Sequence, residues 1–220
     1  IPAPSVFHFE GSGANKPWLQ ETPHPISQIV WDSWAEIHPD TAKQLGIKER
    51  SVVEIRTPQG SLNATVYLSY GIHREAVAIP IGQGHTSSGI VADGFGINVM
   101  NLLPAKTDTQ TGNLAFVSTK AEVVPTAIKS YTVNLDGNPR QLGRDIAAAT
   151  TVAALTSDKA GHGGGHHRPK EIVEFYPDRS ETATYYKPYR WRMTVDLDCC
   201  KGCSACVLAC YAENNIPVVG

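Results

Sequence analysis

The clearest alternation along the chain runs from Leu62 to Leu68, where Leu62, Ala64, Val66 and Leu68 are separated by Asn63, Thr65 and Tyr67. A period of two predicts a strand with one apolar face. The β-branched run over residues 52–57 precedes it, and Pro58-Gln59-Gly60 supplies the turn that pairs the two strands. Residues 76–81 are more continuously apolar and read as a third, more central strand, and residues 114–124 supply a further one. His38-Pro39-Asp40-Thr41-Ala42 before Leu45-Gly46 predicts a short helix, with proline at its start and glycine past its end. Residues 98–103 predict a helical turn, and the glycine-rich stretch 82–96 a loop. Residues 1–28, rich in proline and glycine without a sustained period, read as an extended segment lying on a neighbouring surface.

The pattern is thus mainly β with short helices. A small β-barrel is the natural way for such short strands to avoid open edges. The character changes near Pro125. Residues 129–188 read as a connector, with turn chemistry at Asn134 to Pro139, one helix around residues 144–155, and a Gly/His tract at residues 161–167. Residues 189–197 read as a strand leading into the cysteines. The expected division is therefore 1–128 barrel, 129–188 connector and 189–220 a third module.

Composition narrows the function classes. Of 220 residues, 41% are hydrophobic and 18% charged, enough apolar material for a core. The net charge of -2 gives no electrostatic reason to expect nucleic acid as a partner. No apolar run reaches the length of a bilayer span; residues 146–155 come nearest, at about half of it. The chain begins at Ile1 without a basic or apolar leader and stops at Gly220, so it is expected to be an internal fragment of a longer protein.

All five cysteines lie between Cys199 and Cys210. That density is the mark of a metal site and not of a dispersed disulfide framework. Cys200, Cys203, Cys206 and Cys210 have the spacing C-x2-C-x2-C-x3-C. Three thiolates two residues apart can wrap one iron–sulfur cubane, with Gly202 permitting the tight loop. Cys210 is expected one helical turn beyond Cys206 and facing away from that cluster, as the ligand of a neighbouring one. A structural zinc site usually pairs C-x2-C with a distant second pair, and helical neighbours make poor disulfide partners. Cys199 reads as a free or packed thiol. Three convergent ligands leave a cubane one short, so the remaining ligands are expected beyond Gly220. Lys201, inside the motif, is expected to favour the reduced cluster.

Residues 189–198, the four cysteines, and Ala212-Glu-Asn-Asn-Ile-Pro-Val-Val-Gly220 resemble the start of a four-cluster ferredoxin-like protein. Tyr211 stands where a bacterial two-cluster ferredoxin has proline. Upstream, Ile37-His-Pro-Asp-Thr-Ala, Leu45-Gly-Ile, Val52-Val-Glu-Ile, Gly82-Gln-Gly-His85, Asn98-Val-Met-Asn-Leu-Leu103 and Thr111-Gly112 resemble, in that order, the C-terminal double-psi β-barrel of molybdopterin oxidoreductases. Barrel and iron–sulfur module on one polypeptide resemble the large iron–sulfur subunit of bacterial alternative complex III, a quinol:electron-acceptor oxidoreductase. The resemblance implies an electron-transfer subunit with [4Fe–4S] and [3Fe–4S] clusters and no molybdenum cofactor. It also implies a multihaem cytochrome c subunit, a quinol-oxidising integral membrane subunit and the rest of its own polypeptide as partners. The periplasmic face of the inner membrane would be its place. Two rivals stay open: a molybdopterin-dependent oxidoreductase whose barrel binds the pterin, and a structural fragment whose cysteines ligate nothing.

Other candidates weigh less. Residues 82–89 suit a phosphate or a pterin through backbone N–H groups, but read first as a tight barrel loop. His162, His166 and His167 read as a solvated linker more readily than as a metal site. His38 and His85 read as structural, and Trp31, Trp34 and Trp191 as core or interface anchors before electron relays. No Ser-His-Asp set, P-loop or paired-carboxylate site is present in the pattern, so no organic substrate is indicated.

Overall fold

Six short strands form one mixed sheet: β1 (Pro2–Ala3), β2 (Trp34–Ile37), β3 (Ser51–Thr57), β4 (Gly60–Leu68), β5 (Val77–Pro80) and β6 (Glu122–Lys129). Their spatial order is β1-β5-β2-β4-β3-β6. The computed structural model describes residues 1–117, 119–134, 149–156 and 193–218. They belong to two compact units, residues 1–137 with 201–220, and residues 138–200. The first unit holds the sheet. It is mainly β with few short helices, as the alternation pattern predicts, and fits a barrel-like fold.

The Pro58-Gln59 turn closes the β3–β4 hairpin, with Thr57 opposite Gly60 and Val52 opposite Thr65. β4 lies between β3 and β2, running parallel to β2. The central place of β4 explains why Thr65, on the polar side of its alternation, is buried along with Ala64 and Val66. Ile37, Val53 and Ile55 pack with Ala35, Ile79 and Val99 in the core. Each fully buried aliphatic side chain there contributes roughly 2 kcal/mol.

Two helical pieces frame the sheet. The short helix α1 (Pro17–Gln20) lies in the N-terminal segment, and α2 (Pro39–Gln44) follows β2. The second obeys the predicted signals: His38 Nδ1 accepts the Asp40 N–H at 3.1 Å, and Gly46 past its end has φ +69°. Residues Val99–Leu102 form a 3-10 turn whose Val99 and Leu102 enter the core.

Three expectations change. Residues 1–28 do not lie on another surface. Pro2–Ala3 pair in parallel with β5, α1 follows, and Phe7, Ala14 and Gln20 are buried in the first unit. The last strand is 122–129 and not 114–124, because Leu114 pairs only with Thr107 in an isolated bridge. It runs through Pro125, which an edge strand tolerates. Pro125 faces Val53, the register shifts beyond it, and Thr126 Oγ1 donates to Val52 O at 2.6 Å. Residues 193–197, finally, are not a strand: among the described residues no strand pairs with them, and they are exposed.

In the second unit the described residues contain α3 (Val152–Thr156), the tail of the helix expected over 144–155. Residues 149–151, also expected in that helix, are not helical; residues 144–148, the Gly/His tract with His162, His166 and His167, and Trp191 lie outside the described residues.

Candidate functional site

Cysteine spacing sets the first candidate. Asp196 heads the approach: its backbone O accepts from Cys200 N at 2.9 Å, and its Oδ1 accepts from Asp198 N at 3.0 Å. Cys200 and Cys199 end the second unit as free, exposed thiols. Cys203, Cys206 and Cys210 belong to the first unit, also free and exposed.

Gly202 and Ser204 flank Cys203 with φ +66° and +55°, so the chain doubles back around that thiol. Glycine takes this conformation without strain, whereas Ser204 takes it at some cost. The helix α4 (Ala205–Asn214) then carries Cys206 in its first turn and Cys210 one turn later. Positions four apart lie on one stripe of a helix. Cys210 is therefore displaced by one turn along the axis from Cys206, as the x3 step predicts. Asn214 Nδ2 donates to Cys210 O at 2.9 Å and reaches its Sγ at 3.5 Å. Among the described residues no three His, Cys, Asp or Glu side chains are gathered closely enough to hold a metal ion. The thiols of the first unit are strung along a loop and a helix.

The glycine-rich loop is the second candidate. Gly82, Gly84 and Gly96 are required by close approaches to the chain itself. A Cβ on Gly84 would lie 2.2 Å from Asn98 N, and one on Gly82 2.7 Å from His8 Cβ. A Cβ on Gly96 would lie 2.3 Å from Gln83 Oε1. The loop tip, Thr86 to Ser88, is exposed. His85 is structural, as expected, its Nε2 lying 3.1 Å from Gly82 O and its Nδ1 3.0 Å from Ser88 Oγ.

Beneath the loop runs a buried series of polar contacts that the sequence pattern does not announce. Ile97 N donates to Ser33 Oγ at 3.1 Å, Ser33 Oγ to Gln83 Oε1 at 2.7 Å, and Gln83 Nε2 to Gln20 Oε1 at 2.7 Å. Gln20 Nε2 ends it on Ala14 O at 2.8 Å. Ser33, Gln83 and Gln20 are all buried, so each bond replaces water that cannot reach them.

Next to this series is a cavity of about 50 Å³, lined among others by His8, Gln20, His24, Asp32 and Gln83. His8 Nε2 is buried there without a hydrogen-bond partner among the described residues. Burial, helped by the charge of nearby His85 and opposed by Gln20, pushes the His8 ring down to about 4. Burial also lowers His24 and raises Asp32, the latter opposed by the Ser33 N–H. The cavity has room for water and not for a nucleotide. Trp34 is a core anchor with Nε1 donating to Glu36 Oε1 at 3.1 Å, and Trp31 packs on Phe95 with ring centroids 4.9 Å apart.

Comparison with known proteins gives two kinds of relative. The chain is 36% identical over 72 residues to the molybdopterin-binding-like subunit of menaquinone reductase from Nitratidesulfovibrio vulgaris, covering 33% of this chain and 10% of that protein. It is 63% identical over 27 residues to the iron–sulfur cluster-binding subunit of menaquinone reductase from the same organism, covering 12% and 11%. It is 32% identical over 117 residues to the molybdopterin-containing subunit ArrA of arsenate respiratory reductase from Chrysiogenes arsenatis, covering 48% and 14%. The matched stretches are thus small parts of these larger proteins.

These findings overturn the expectation of no molybdenum cofactor. The family model for the Molydopterin dinucleotide binding domain matches residues 8–120, and ArrA is named as molybdopterin-containing. The expectation rested on a resemblance to a family with a cofactor-free barrel, and no residue of this barrel carried it. Since the matched span is slightly more than half of the chain, this protein belongs to the Molydopterin dinucleotide binding domain family.

Proposed function

We propose that this chain is the junction between a molybdopterin-type barrel and an iron–sulfur module in an electron-transfer subunit of a quinone-linked oxidoreductase. The observation that carries the reading is the C-x2-C-x2-C-x3-C run of free, exposed thiols on the same chain as a barrel of this family. Similarity to two menaquinone reductase subunits, one named for a molybdopterin-binding-like part and one for iron–sulfur clusters, supports it. Within that class the proposal is an alternative complex III type of assembly, at the periplasmic face of the inner membrane. Its partners are a multihaem cytochrome c subunit, a quinol-oxidising membrane subunit and the remainder of this polypeptide. The division into 1–128, 129–188 and 189–220 belongs to the same proposal.

The donor set fits a cluster: thiols are the ligands such clusters take, and none here is consumed in a disulfide. Cys200, Cys203 and Cys206 would hold one cluster, and Cys210 a neighbouring one. A cluster, when bound, supplies one-electron transfer. The chain's own residues space the ligands: Gly202 and Ser204 turn the loop, and α4 sets Cys206 and Cys210 one turn apart.

Family membership favours a second reading of the barrel, as one wall of a pterin dinucleotide site. The cavity does not fit such a group; the exposed rim offers the hydroxyls of Thr86 and Ser87, while Ser88 N donates to Asp93 Oδ1 at 2.7 Å and Ser88 Oγ pairs with His85 Nδ1. A molybdopterin cofactor, when bound, supplies redox chemistry at its metal.

The test is iron and molybdenum content of the intact native assembly, measured on one sample. Abundant iron, lowered by Cys203→Ser, is the expected result, and absence of iron would end the iron–sulfur reading. Stoichiometric molybdenum would assign the barrel a resident cofactor.

A further inference from the structure

The cluster loop does not stand free of the barrel. Ser204 Oγ donates to Pro23 O at 2.9 Å, across 181 positions of sequence. Gly202, two residues earlier, packs on the next proline: a Cβ built on it would lie 3.2 Å from Pro25 Cβ and 3.8 Å from Pro25 Cγ. Both neighbours of Cys203 therefore rest on the same Pro23-His24-Pro25 turn.

That turn is itself held from several sides. Pro23 is fully buried. His24 N donates to Ile29 O at 3.1 Å, and Gln28 N donates back to His24 O at 2.8 Å. Ser27 N donates to His24 Nδ1 at 3.1 Å, and the His24 ring meets Trp34 edge-on with centroids 4.9 Å apart. Trp34 is a core residue of β2. The seat under the loop is thus tied to the sheet through a buried tryptophan, and its position is that of the barrel.

Resting on the iron–sulfur reading above, we infer that the Pro23–Pro25 turn is a positioning element for the cluster held by Cys203 and Cys206, with Ser204 as the clamp. The Ser204 hydroxyl directs its proton to Pro23 O, so it donates to no cluster sulfur. The strained φ at Ser204 is held by a bond outside its own loop, which is how such strain persists. Neither proline has a backbone N–H that could donate to a cluster sulfur. Hydrogen bonding to sulfur and solvent exposure are what set the potential of such a group. The barrel accordingly acts on the cluster without supplying a ligand.

The experiment uses the native assembly carrying Ser204→Ala or Pro25→Gly. Iron content, the midpoint potential followed by electron paramagnetic resonance, and the rate of bleaching by EDTA are read on each. Ser204→Ala is expected to keep its iron while its potential shifts beyond replicate scatter and it bleaches several-fold faster. Pro25→Gly, which leaves the Ser204 bond in place, is expected to bleach faster as well. It decides the matter if Ser204→Ala fails to assemble. Wild-type potentials and bleaching rates in both variants would overturn the clamp while leaving the iron–sulfur reading intact. Absence of iron from the wild-type assembly would overturn both.

Discussion

Replacing Gln83 with leucine removes the middle of the buried polar series that joins the glycine-rich loop to residues 14–20. Leucine has a similar volume, so the change is one of polarity more than of packing. It strips Ser33 Oγ of the acceptor it reaches at 2.7 Å and Gln20 Oε1 of the donor that reaches it at 2.7 Å. Gln20 is 1% exposed and Ser33 4% exposed, so water does not replace either partner. A buried polar group left unpaired costs about 1–3 kcal/mol, and two are created. Apolar burial by leucine offsets part of this. The expected net loss is therefore about 3 kcal/mol, a large fraction of the roughly 5–15 kcal/mol that holds a domain folded. Urea unfolding followed by tryptophan fluorescence should show a lower midpoint at an unchanged slope. Combining Gln83→Leu with Ser33→Ala should cost less than the two changes separately, because each then removes a partner the other has orphaned. A loss below about 0.5 kcal/mol for Gln83→Leu, or strict additivity with Ser33→Ala, would show that these bonds do not stabilise the loop.

The pH dependence of stability and the potential of the cluster carry further expected outcomes. His8, held down to about 4 in the folded state against an ordinary 6.5, makes the unfolded chain bind the extra proton across that window. Stability should therefore fall as pH drops from 6.5 towards 4, by about 2 kcal/mol once the solvent reaching the ring is allowed for. His24 acts in the same direction, and Asp32, raised by burial, in the opposite one. The drop in urea midpoint between pH 7 and pH 5 should shrink in His8→Gln, and an identical drop would remove His8 as its source. Lys201 is exposed beside the thiols, so Lys201→Ala should lower the cluster's midpoint potential slightly, more so at low ionic strength. An unchanged potential at low salt would count against any role for that charge.

Local features were legible wherever the deciding interaction is short-range. The β3–β4 hairpin follows from alternation and a Pro-Gln-Gly turn, α2 from proline at its start and glycine past its end, and the cysteine motif from its spacing alone. The strand β2 was not legible, because Trp34–Ile37 is too short for a period and is made a strand by β4 and β5 on either side. Nor was the role of residues 1–28, whose prolines and glycines conceal a parallel pairing with β5 across more than seventy positions.

The candidate sites divide the same way. Thiols that share a few residues of chain announce themselves, because the chain itself keeps them close. Gln20 with Gln83, and Ser204 with Pro23, are brought together only after the sheet has formed, over 63 and 181 positions. Their residue types are ordinary one by one, and no local pattern links them. What the sequence determined by itself was the secondary structure with strong local periodicity and the spacing of the cysteine run. Which strands neighbour one another, which buried polar groups must satisfy each other, and which turn the Ser204 hydroxyl reaches were decided by tertiary packing. The physical reason is that burial and hydrogen-bond pairing are properties of distance in space, and only folding makes distant residues neighbours.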